Sequence, residues 1–245
     1  MNRSNASAAL AIAAVLTLTG CGGPAPSGTT ASASPSPASS DPTPTPTPKA
    51  YTNEELTAIV AGLKDAQGQP LTVVPAAQID QGLIVAREML KTAVITPKTC
   101  GVLIDNNTQV PEGSTYAAGA SLAAKAKTAT VLTVFSVQDP SVMTAQFEKS
   151  EAALNDCSTY TIELKGQKVT SELKPLDTAV QAEKSMAALT VQTTPAGQKQ
   201  VCNITVLGIK GTLAVTVMKS GAVGAVTAAD APELAKLVNA ALAVG

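Results

Sequence analysis

The sequence holds no histidine and no tryptophan, and its aromatic complement is two Phe and three Tyr among 245 residues. Without imidazole there is no ordinary general base at neutral pH, no Ser-His-Asp or Cys-His arrangement, and no His-based metal site. So few rings cannot build stacking platforms for bases or sugars. Charge is scarce as well: 17 basic and 18 acidic residues leave a net charge of -1. A chain so balanced lacks the clustered Lys and Arg that phosphate contacts need, which excludes a nucleic-acid partner. There is also no apolar stretch of about 18 residues, so no transmembrane helix is expected.

What is present begins with an address. Arg3 is followed by an apolar run from Ala8 to Leu18, the length of a signal h-region and too short to span a bilayer. The run ends in Leu18-Thr19-Gly20-Cys21, which resembles the bacterial lipobox, where the cysteine thiol receives a diacylglyceryl group. Residues 1–21 are therefore expected to be a lipoprotein signal with Cys21 as the lipidation site. Several acyl chains, at roughly 0.8 kcal/mol per buried methylene, hold a protein on a membrane where one chain would not. The expected location is the outer face of the cell membrane.

Residues 22–50 are Gly, Ser, Thr, Ala and Pro almost throughout, and hold eight of the 16 prolines. Such a segment buries too little apolar surface to offset ordering entropy, and proline extends it as polyproline II. It reads as a tether. One domain, residues 51–245, follows and is long enough for a proper core.

Thr52 to Glu55 forms a capping box before Leu56, Ile59, Val60 and Leu63 on one helical face. Ala77 to Lys91 carries a second stripe of Ile79, Leu83, Ala86 and Leu90. Asp139-Pro140 opens a third helix with Met143, Phe147 and Leu154 inward, and Asp230 to Glu233 opens the last. Period-two alternation marks six strands, at Val131–Val137, Tyr160–Leu164, Val169–Leu173, Ala187–Val191, Cys202–Val206 and Leu213–Val217. Turns are expected at Lys165-Gly166, Thr194 to Gly197 and Gly208 to Gly211. Consecutive strands with short turns predict an α+β fold, an antiparallel meander of five to six strands packed by N- and C-terminal helices.

Little here suggests chemistry. Ser171-Glu172-Leu173-Lys174 matches the nucleophile motif of penicillin-binding proteins, but it falls in an alternating strand, whereas that motif needs serine one helical turn from lysine. Asp105-Asn106-Asn107 and Glu112 offer oxygens without the glycine or spacing of a calcium loop, and read as a polar turn. No catalytic residue, metal site or cofactor is predicted. Once Cys21 is lipidated, Cys100, Cys157 and Cys202 remain in an oxidising compartment, enough for one bridge and one leftover thiol. Cys202 shares an alternating face with Ile204 and Val206, which suits a buried thiol. Cys100 follows a loop expected at Pro97 and Cys157 follows the helix end at Asn155, so both are expected on loops and a Cys100–Cys157 bridge is favoured over Cys157–Cys202.

The order of these elements resembles the PknH-like extracellular domain of mycobacterial serine/threonine kinases, which also occurs alone in actinobacterial lipoproteins. The resemblance rests on the lipobox, the Pro/Thr tether, Cys100, the Tyr116 segment, the helix reaching Asp156-Cys157, Cys202 and a terminal amphipathic helix. It implies an α+β domain with a large cleft that senses a ligand, and disulfides joining consecutive cysteines. Cys100 and Cys157 match the first such pair. It supplies no catalytic residue.

The expected function is thus a non-enzymatic, membrane-anchored binding or sensing module for an apolar or small envelope molecule. The alternative is a structural lipoprotein that docks on an envelope protein. The expected ligand site lies between the sheet and the helix beginning near Pro140, with Tyr116 or Tyr160 at its rim.

Overall fold

The computed structural model describes residues 49–108, 111, 113–194 and 200–245. The lipobox with Cys21, nearly all of the tether, Glu112 and most of the Thr194–Gly197 turn lie outside the described residues.

The described residues form five α-helices, α1 (Asn53–Ala61), α2 (Ala76–Leu90), α3 (Gly101–Thr108), α4 (Pro140–Asp156) and α5 (Ala231–Val244). Its strands are β1 (Thr72–Val74), β2 (Val94–Thr96), β3 (Thr115–Ala123), β4 (Thr128–Ser136), β5 (Thr159–Leu164), β6 (Gln167–Pro175), β7 (Lys184–Thr193), β8 (Gln200–Lys210) and β9 (Leu213–Ala222). All nine join one sheet in the order β1-β3-β4-β9-β8-β7-β6-β5-β2, and every neighbouring pair is antiparallel.

The fold is α+β as expected, but the sheet has nine strands in place of five to six. The six alternating runs became β4 to β9. The three additions gave no such signal: β1 and β2 have three residues each, too short for a period, and β3 reads TYAAGASLA, poor in β-branched residues. Asp105 belongs to α3 rather than to a polar turn. The second glycine turn is also narrower than expected, since β8 continues through Gly208 to Lys210 and turns at Gly211, whose φ is +56°.

Capping fixes where helices begin. Thr52 and Glu55 form the reciprocal capping box of α1, and the Asp139 side chain accepts from Ser141 N ahead of Pro140. The β5–β6 hairpin turns on Lys165 and Gly166, both at positive φ, which matches the twist of the flanking strands.

Burial separates the two faces of the sheet. Along β4, β8 and β9, buried residues alternate with half-buried ones. One face carries Leu132, Val134, Ile204, Val206, Val215 and Val217, sealed by α1 and α5 in the main core. Gly208 lies on that face: a Cβ there would stand 2.8 Å from Val238 Cγ1, 2.9 Å from Val180 Cγ1 and 3.0 Å from Leu242 Cδ1. Its missing side chain sets how closely α5 approaches β8.

The opposite face is covered in parts. Met143 and Phe147 of α4 pack with Ile209, Ala214, Phe135 and Leu207. Lower on α4, Ala153 and Leu154 join Cys100, Leu103, Cys157 and Tyr160 in a separate cluster. Cys100 and Cys157 are at bonding distance with Cα atoms 5.7 Å apart, which ties the start of α3 to the end of α4.

The connection between β1 and β2 shapes this face. These strands are the two edges of the sheet, and laid flat nine strands at about 4.8 Å spacing would hold them about 38 Å apart. Only α2 and a few flanking residues join them, a segment that reaches about 41 Å. The connection spans the sheet with little to spare, and the Tyr116–Asp80 bond puts α2 on the concave side, the face that also carries α4.

Gly208→Ala should lower unfolding free energy by about 1–3 kcal/mol through overpacking against Val238 and Leu242. Urea denaturation measures it, and an unchanged midpoint would mean that α5 is not set by this contact.

Candidate functional site

On the concave face the central strands present Val131 and Thr133 from β4, Thr216 and Met218 from β9, and Thr205 from β8, all half-buried. On the same face α2 is tied to β3 through Tyr116 and Asp80, and it packs only lightly on the other elements. Leu83 and Ala86 are nevertheless buried, while Ile84 and Val85 are more than half exposed. The helix therefore has an inner and an outer side. Its inner side carries Leu83 and Ala86, while the central strands on this face present half-buried methyls and threonine hydroxyls.

Tyr116 pins one end of this roof. It stands on β3 opposite Phe135, and its phenol donates to Asp80 Oδ1 of α2. Partial burial, then the Asp80 hydrogen bond and charge, push the Tyr116 pKa up to about 12, with Arg87 pulling the other way.

A recess of about 380 Å³ opens at the start of α4, lined by Pro111, Gly113, Val137, Gln138, Asp139 and Val142. This volume is within the range of small-molecule pockets. The chain also enters the fold at this end: Tyr51 N donates to Ser136 Oγ at 3.1 Å, and Thr212 donates its hydroxyl to Lys49 O.

The expected site residues fall in different places. Tyr116 lies on the concave face but its hydroxyl is engaged by Asp80, and it does not line the recess. Tyr160 is 7% exposed within the cluster around the disulfide, so it is a core side chain and not a cleft rim. Burial raises its phenol pKa, and the Ser171 hydroxyl opposite pulls it weakly down. Cys202 is a free buried thiol on the sealed face, its pKa raised by burial and by the Asp230 carboxylate. Such a thiol resists ionisation and is a poor nucleophile. Ser171 and Lys174 project to opposite faces of β6, the first buried and the second exposed, so they cannot form a serine–lysine pair. The place of α2 on this face was not visible in the sequence, because it follows from strand order.

No protein-family model matches the chain, and no curated protein does. Among solved structures, the extracellular domain of PknH from Mycobacterium tuberculosis is similar at 10% identity and a TM-score of 0.49, covering 78% of this chain and 96% of that one. The Rv0999 ortholog from Mycobacterium smegmatis is similar at 12% identity and a TM-score of 0.39, covering 62% and 75% respectively.

Because the protonated Tyr116 phenol is favoured in the fold, its stabilisation is full below the ordinary value of 10.0 and is lost as pH rises through about 12. A pH-jump absorbance titration of wild type minus Tyr116→Phe should show one phenol ionising near pH 12. A difference centred at pH 10 would contradict the Asp80 contact.

Proposed function

We propose that the domain is a ligand-binding or sensing module, held on the outer face of the cell membrane by lipid at Cys21 and raised from it by the tether. The observation that carries this reading is the concave face of the sheet, where Val131, Thr133, Thr216, Met218 and Thr205 are only half-buried and a lightly packed α2 lies on the same side. A sheet face sealed on one side by two helices and left half-covered on the other suits an apolar guest more than a closed core. The recess beside Asp139 and Val142 supports the same reading, since it lies at the end where the tether joins the domain. An occupant drawn from the envelope would enter there.

The chemistry is that of binding and not of catalysis. The buried thiol is held protonated, Ser171 has no lysine beside it, and the tyrosine on the concave face is engaged by Asp80. An interaction lipoprotein that docks on an envelope protein is the second reading, favoured by the exposed Ile84 and Val85 on the outer side of α2.

Native mass spectrometry and thermal-shift measurements of the protein purified from its own envelope distinguish the two. Binding predicts a retained guest and a rise in melting temperature with envelope lipid extract. No guest and no shift would leave the docking reading.

A further inference from the structure

Arg87 stands on the inner side of α2, one turn beyond Leu83. Its Nε is buried and finds no hydrogen-bond acceptor. Neither nearby acid bonds to Nε: Asp80 accepts from Tyr116, whose phenol feels the charges of both Asp80 and Arg87, and Glu88 pairs with Lys91 at 2.7 Å. The sheet supplies none either. The concave positions of β3, β4, β9, β8 and β7 hold no carboxylate, and their one charged side chain, Lys184 of β7, pairs with Glu148 of α4 at 3.6 Å. A guanidinium sealed from water at Nε without a partner is costly, and a planar fork of donors matches a carboxylate or phosphate. Arg87 Nε is thus a buried donor without an acceptor, facing strands that offer no carboxylate.

We infer that the site takes an anionic amphiphile, with its acidic head on Arg87 and its apolar body along the floor of Val131, Thr133, Thr216 and Met218. This rests on the binding reading above and adds the chemical class of the ligand. The head group supplies the acceptor that Arg87 lacks, and the body covers the half-buried methyls. With both in place α2 gains packing on its inner side. Neither part alone satisfies the site, since a free anion leaves the floor wet and an uncharged chain leaves Arg87 unpaired.

Calorimetry on the full-length protein with three probes tests this: palmitate, hexadecanol and inorganic phosphate. Palmitate should bind, hexadecanol should bind more weakly, and phosphate alone should not bind measurably. Arg87→Met should weaken palmitate about tenfold or more, the range for a charge-assisted hydrogen bond, and leave hexadecanol unchanged. Its melting temperature should be no lower than wild type, because a buried donor without an acceptor is removed; Arg87→Gln serves as a second neutral variant. Equal palmitate affinity in wild type and both variants would overturn the assignment to Arg87 while leaving the binding reading intact. If wild type binds neither palmitate nor hexadecanol, the binding reading falls and this inference with it. Phosphate binding as tight as palmitate would show an anion site and not an amphiphile site.

Discussion

The two edge strands are neighbours in the chain and opposites in the sheet. Between β1 and β2 run only α2 and its short flanks, yet seven strands separate them in space. That connection has to cross one face of the sheet, and the Tyr116–Asp80 bond puts it on the concave side. Much else depends on this. α1 and α5 are free to seal the convex side into one continuous core, while α3 and α4 fill the concave side from the β5–β7 half. The half-buried remainder shares that side with α2, which packs only lightly.

The two faces are built for different tasks. On the sealed face, Gly208 and Gly119 omit side chains where α5 and the α1–Leu71 layer press against the sheet, and interiors packed so closely yield little. Lys219 and Asp230 make a 2.5 Å ion pair there, each less than a fifth exposed, and Asp230 is held below its usual pKa: burial opposes this, but the Lys219 and Thr227 contacts outweigh it. The concave face has no comparable seal. Its threonines tolerate either water or an apolar guest, and α2 meets it through few side chains. A domain that needs one rigid reference and one adaptable surface is well served by this division.

Much of this was legible from residues. Capping boxes, stripes and alternation gave α1, α2, α4, α5 and β4 to β9, because each is long enough to show its period. β1 and β2 are too short to do so, and β3 forms from alanine and glycine only because β4 offers it a full ladder. The favoured cysteine pair comes together because the element ends that carry it meet beside α4. The site was harder to foresee. Tyr160 reads as a surface phenol by its place near a strand start, yet the disulfide cluster closes over it. Arg87 gave only one clue, its position four residues after Leu83 on the inner stripe, and nothing local tells that this stripe faces strands that offer no carboxylate.

The central claim is that α2 is a lightly held roof over a site that a guest completes. Hydrogen exchange of the α2 amides against those of α5 tests it most directly, with and without envelope lipid extract. The account predicts that α2 exchanges far faster than α5 in the empty protein and slows when extract is added, while α5 is unmoved. An α2 as protected as α5 from the outset, and indifferent to the extract, would contradict it.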